Sequence, residues 1–166
     1  LAGMFAGEFG KYEWGYCSGL LHDIGKYSLR FQRRLQKGDV QVDHSTAGAQ
    51  LCAAKGGYYT FLSYCISGHH AGLPDCGSNT DNSGESTLSG RLKKKIEDYQ
   101  AYQSEIEVPL LHSAPIDPKA MPNPYFSLSF FLRMIYSCLV DADFLDTESF
   151  MKQGKTERDP GTRIEE

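Results

Sequence analysis

The sequence predicts an all-α fold, and three observations point that way. Apolar residues recur three or four apart through most of the chain, strand-like alternation is nearly absent, and glycine, proline or small polar residues punctuate the periodic segments. At 166 residues the chain fits one domain. A domain of that size buries roughly two thirds of its unfolded surface and needs no disulfide staples. Its 40% hydrophobic and 23% charged residues are ordinary values for a globular chain.

Each element has its own signal. Residues 1–10 set Leu1, Met4, Phe5 and Phe9 at helical spacing and stop at Gly10. Residues 13–21 run small and apolar into His22-Asp23. A third helix is predicted over 27–37, with Ser28 as its N-cap and Gly38 closing it. The run STAGAQLCAAK predicts a helix from Asp43 to Lys55, ended by Gly56-Gly57, and the aromatic, apolar stretch from Tyr58 to His70 predicts a buried one. Residues 75–90 are dominated by Gly, Ser, Asn and Asp, which bury little, and read as a mobile loop. Leu88, Leu92, Ile96, Tyr99 and Gln103 predict an amphipathic helix lying over the core. Pro109, Pro115, Pro118, Pro122 and Pro124 exclude regular structure over 108–124. A long apolar helix is expected from Ser127 to Phe144, and the polar stretch after Thr147 reads as the start of a linker. The division is therefore a domain over 1–150 and a tail over 151–166.

Composition also bounds function. A net charge of -4 gives no global positive field, so any nucleic-acid binding must use a local patch or a metal. Cys17, Cys52, Cys65, Cys76 and Cys138 are odd in number and lack C-x-x-C spacing, which excludes a disulfide framework and a zinc ribbon. They read as reduced thiols of a cytoplasmic protein. No apolar run approaches the ~18 residues of a membrane span, and no signal peptide opens the sequence. The sequence starts at Leu1 rather than methionine and is read as beginning inside a larger polypeptide.

The chemistry concentrates in four of the five histidines: His22 in GLLHDIGK, His44 in VDHS, and His69 with His70 in SGHHAGLPD. A lone histidine is usually a hydrogen-bonded core residue. Here polar pairs close two apolar helices, an arrangement that costs desolvation energy unless a metal offsets it. Imidazole and carboxylate ligands suit manganese, iron, nickel or zinc. Two such ions ~3.5–4 Å apart clamp the attacking and leaving oxygens of a phosphodiester, with Asp23 as the natural bridge. A second carboxylate is expected late in the chain, at Asp141 or Asp143; the two lie two apart on a helix and cannot face the same way. Lys26, one turn after His22, is placed to meet a phosphate. Lys26, Arg30, Arg34 and Lys37 recur as a basic stripe, either a phosphate track or a solvated helix face. Lys93, Lys94 and Lys95 read as surface decoration, and His112 as structural or exposed.

At HDIGK the sequence resembles the HD superfamily of metal-dependent phosphohydrolases. With DHS, GHHAGLPD and LVDADFLDTE added, it is similar to the HD nuclease domain of the CRISPR-associated nuclease-helicase of type I systems, in the I-C branch, from Leu1 to about Met151. The resemblance implies an all-helical HD bundle with a di-metal site between helices. It implies cleavage of single-stranded DNA in antiviral defence, by hydroxide activated at divalent ions (Mn, Ni, Fe, Mg or Zn). It makes His22, Asp23, His44, His69, His70 and Asp143 the metal ligands, since the family's late aspartate sits in an A-D-aromatic context that selects Asp143. Asp23 and Lys26 become the catalytic residues, and Lys26, Arg30 and Arg34 the contacts to nucleic acid. It further implies a superfamily 2 helicase domain and a guide-RNA surveillance complex as partners, and a further histidine upstream of Leu1. An HD-type nucleotide or cyclic-dinucleotide phosphodiesterase is the alternative, although His70 here leads into Ala-Gly-Leu-Pro-Asp rather than an acidic residue and Gly-Tyr-Pro. A metal-poor docking domain is the third reading.

Overall fold

The computed structural model describes residues 1–38 and 42–152, and among these the chain is all-α, with no strand. In chain order the helices are α1 (Ala2–Gly7), α2 (Tyr12–Leu21), α3 (Leu29–Lys37), α4 (Ser45–Lys55), α5 (Tyr59–Gly68), α6 (Leu88–Leu92) and α7 (Pro124–Met151); 3₁₀ turns occupy Ile24–Tyr27 and Gln100–Ser104. α7 packs against α1, α2 and α5, and α4 against α5 and the first 3₁₀ turn. Between them lies a core whose fully buried side chains include Trp14, Leu21, Ile24, Leu62, Ile66, Ile135 and Leu139. Burying each such side chain stabilises the fold by about 1.5–3 kcal/mol.

Trp14 ties the proline-rich segment to this core. Its ring meets Phe131 edge-on at 4.9 Å, and its Nε1–H donates to the Ser113 carbonyl at 3.0 Å. Glu13 next to it accepts from the backbone N–H groups of His112 and Ser113, both at 3.2 Å. An irregular segment is thus held by a few specific side chains, as the proline spacing requires. His112 itself is exposed.

Two glycines set the distances that matter for function. A Cβ on Gly25 would stand 2.2 Å from the His44 carbonyl oxygen, and one on Gly48 would stand 2.2 Å from that of Leu21. Any side chain there would force apart the segments that carry His22, Asp23 and His44.

Three expectations need correction. The helix expected through Leu88, Leu92, Ile96, Tyr99 and Gln103 ends after Leu92. The Gln50 amide donates to the carbonyls of Leu92 (3.1 Å) and Lys94 (2.7 Å), taking acceptors that a continuing helix would need. Ile96 and Tyr99 still reach the core, on a non-helical path. α7 is longer than expected at both ends. Asn123 caps it, accepting from the Phe126 N–H at 3.1 Å, and Pro124 fits its first turn. It continues past Thr147 to Met151, with Lys152 and Glu148 paired at 2.7 Å. Residues 153–166 of the expected tail lie outside the described residues. The loop over 75–87 is non-helical, with hydrogen bonds of its own from Ser78 and Thr87 to Asp81. Among the described residues, no helix is long and apolar enough to cross a membrane.

Candidate metal centre

The predicted ligands come from four segments that the core brings to one point. His22 caps the C-terminus of α2, and its Nδ1 lies 2.8 Å from the Gly19 carbonyl. His69 caps α5, with Nδ1 2.7 Å from the Ile66 carbonyl. His44 precedes α4, with Nδ1 3.4 Å from the Val42 carbonyl. A carbonyl only accepts, so each Nδ1 carries a proton and each Nε2 turns inward, the usual arrangement of metal-binding histidines.

Asp23 spans the centre. Its Oδ2 lies 2.5 Å from Lys26 Nζ and 3.2 Å from His22 Nε2, while its Oδ1 lies 3.2 Å from His44 Nε2 and 4.0 Å from His69 Nε2. Asp143 Oδ1 approaches His22 Nε2 at 3.6 Å from α7. The exposed His70 ring places Nε2 2.8 Å from His44 Nε2, so two imidazole nitrogens face each other at hydrogen-bond distance. Two sets of ligand atoms each fall within 4.8 Å of one another: His22, His69 and Asp143, and His44, His69 and His70. Ligand atoms on one ion sit about 2.0–2.2 Å from it, so these spacings need little contraction.

The electrostatics are compatible with a bound cation. His22 Nε2, Asp23 Oδ1 and His69 Nε2 are buried without a hydrogen-bond partner; the short His22–Asp23 approach is not aligned as a hydrogen bond. A buried polar atom left unpaired costs about 1–3 kcal/mol, and one shared partner would satisfy all three. A divalent ion is such a partner, and the chain's His/Asp groups are able to bind one. Burial alone would lower the His22 pKa, but the Asp143 and Asp23 carboxylates override it and carry it up to about 9. Asp23 is buried, which raises a carboxyl, yet His22, His44 and Lys26 hold it far below the usual range. Burial pushes His69 down to about 4, and burial with the neighbouring His44 lowers His70. His69 and His70 are therefore neutral at pH 7 and ready to ligate.

Every metal-ligand candidate from the sequence is present here, and the choice between the late aspartates falls to Asp143: Asp141 is exposed on another face of α7. The basic stripe is interrupted in the backbone, while Lys26 and Arg34 still flank one Phe31 ring, at 5.9 and 5.8 Å. Ser28, with ψ 142°, interrupts the helical path between Lys26 and Arg30. Only Lys26 reaches the centre; Arg30 faces Glu97 at 4.0 Å and Arg34 lies over the Phe31 ring at 5.8 Å. Lys94 is more than surface decoration, since it contacts Asp43 at 3.2 Å beside His44, and Lys93 donates to the Asn79 and Asp81 carbonyls. The spacing roles of Gly25 and Gly48 were missed; a glycine inside STAGAQLCAAK was the available signal. A cavity of about 330 Å³, bordered by Leu1, His22, Asp23, Lys26 and Asp143, opens onto the centre.

Comparison with known proteins adds no relative: no family model, no curated protein and no solved structure matches the chain.

Proposed function

We propose that the chain is a metal-dependent phosphodiester hydrolase and, more narrowly, an HD-type nuclease acting on single-stranded DNA. The observation that carries this reading is the convergence of four imidazoles and two carboxylates, three of whose buried atoms lack a partner. The double grouping favours two ions: His22, His69 and Asp143 would hold one, His44 and His70 the other, with Asp23 reaching both. Manganese, nickel, iron, magnesium and zinc all tolerate such a donor set. Bound divalent ions supply Lewis acidity at a phosphodiester oxygen and bring the pKa of water toward neutrality.

The chain's own groups do the rest. The Gly19, Ile66 and Val42 carbonyls fix ring orientation at His22, His69 and His44. Lys26, paired to Asp23 on the cavity wall, would draw in the phosphate and counter its charge. The resemblance adds a superfamily 2 helicase domain and a guide-RNA surveillance complex as partners, and the unpaired cysteines suit the cytoplasm as the setting.

The test supplies manganese or nickel to the protein and offers single-stranded DNA, duplex DNA and cyclic dinucleotides. The expected result is degradation of the single strand, lost together with the bound metal in His22→Ala and Asp23→Ala. Preferential turnover of cyclic dinucleotides would favour the cyclic phosphodiesterase. Intact substrates and no bound metal would leave a docking domain.

A further inference from the structure

Arg91, half-buried at the end of α6, donates through Nη1 to the Ser45 hydroxyl at 3.2 Å, and that is its only partner among the described residues. Lys26, Arg30 and Lys94 each face a carboxylate; Arg91 has none within ion-pair reach. A guanidinium withdrawn from water without a counter-charge is costly, which suits it to an anion from outside. Ser45 directly follows His44 and passes its own hydrogen on to Asp43 at 3.2 Å, so it anchors one Nη1 and leaves the rest of the planar fork free. Arg91 also lines a pocket of about 260 Å³ whose opposite wall is residues 71–75, the segment that leaves His70 and turns at Gly72 (φ +93°). Asp75 is the carboxylate on that wall, and it is exposed. The pocket thus adjoins the segment that leaves His70, and Arg91 links it through Ser45 to the segment that carries His44.

We propose that Arg91 grips a backbone phosphate of a single-stranded nucleic acid next to the one being hydrolysed, and so sets the strand's path across the His44–His70 side. Guanidinium matches phosphate geometry bidentately, and a pocket of about 260 Å³ has room for a phosphate. The placement beside a scissile phosphate rests on the hydrolase reading above; phosphate binding by Arg91 is measurable without it.

The experiment measures binding of fluorescein-labelled oligothymidylate by anisotropy in metal-free buffer across a salt series, for the unaltered chain, Arg91→Ala and Arg91→Lys. Arg91→Ala is expected to weaken binding about tenfold and to flatten the log–log salt slope by about 0.7, one phosphate's share for a single strand. Arg91→Lys should recover the slope and only part of the affinity. Metal content measured in parallel must stay unchanged in Arg91→Ala; loss of metal would show that Arg91 only supports His44 through Ser45, and overturns the proposal. Unchanged affinity and slope, or no binding by the unaltered chain, overturns it as well. Hydrolysis of bis-p-nitrophenyl phosphate, which has no neighbouring phosphate, separates the two readings. Its absence in the metal-loaded unaltered chain counts against the hydrolase, whereas equal turnover in Arg91→Ala combined with unchanged oligothymidylate binding counts against Arg91 alone.

Discussion

The two halves of the centre share Asp23 but are built differently. On one side, His22 is held at 2.8 Å by a carbonyl of its own helix and faces Asp143 from α7, the helix that closes the core. On the other, His44 stands at a helix entrance with a longer Nδ1 contact of 3.4 Å, and His70 is exposed. One half is positioned by buried helix packing and carries a second carboxylate; the other is all imidazole and set by a turn and a cap. The first half should therefore be the stiffer and more pH-dependent, and the second the more easily loosened by changes around it.

The largest effect comes from removing what the halves share. Asp23→Ala takes away a carboxylate that touches His22 and His44 alike, so both halves should lose metal together. Turnover should fall by more than the 10–100-fold that a supporting partner costs. Elemental analysis that still finds one ion per chain would show the halves to be independent.

Gly25→Ala acts on the spacing between the halves rather than on a ligand. The new Cβ would sit 2.2 Å from the His44 carbonyl oxygen, a backbone atom that cannot rotate away. The expected cost is about 1–3 kcal/mol of stability by denaturant titration. Loss of metal should be larger on the His44 side, readable by comparing Gly25→Ala alone with Gly25→Ala in a His70→Ala background.

How far such features were legible depended on whether they were local. Histidines ending apolar helices could be read directly, because helix pattern and ligand chemistry coincide at His22 and His69. The all-α class followed from periodicity for the same reason. The late carboxylate stayed ambiguous on the residues alone, since Asp141 and Asp143 differ only in which side of α7 meets α2. The false helix over 88–103 had correct periodicity but lost its carbonyls to Gln50, forty residues upstream, which no local window reveals. The basic stripe was legible in part: its spacing assumed one helix and Ser28 made two, yet Lys26 and Arg34 still flank the Phe31 ring.

Proton release separates the halves without a mutation. His22, at about 9 against its ordinary 6.5, is protonated at pH 7.5, so an ion bound at its Nε2 must displace close to one proton. His69, at about 4, and the lowered His70 have none to give. Affinity on the His22 side should rise with pH up to about 9, with little further gain from His69 and His70. In the metal-free chain, the stability that His22 contributes is complete below 6.5 and lost as pH rises through about 9. Calorimetry in buffers of different ionisation enthalpy, on His70→Ala and His22→Ala, should find the released proton only in the former.

The smallest expected effect tests whether the His44 half is set by its cap. Asp43 accepts from the Thr46 N–H (3.1 Å) and hydroxyl (2.8 Å) and contacts Lys94, pinning the entrance of α4 that carries His44. Burial would raise its pKa, but the Thr46 and Lys94 contacts bring it down to about 2. Its contribution is therefore full above the ordinary 3.8 and disappears as pH falls through about 2. Asp43→Ala should cost about 1 kcal/mol at neutral pH, the usual price of a lost cap, and that difference from the unaltered chain should vanish toward pH 2. It should also weaken metal on the His44 side while His22 still releases its proton as before. Equal weakening on both sides would mean that the halves move as one body, and that Asp23, rather than the cap, holds His44 in place.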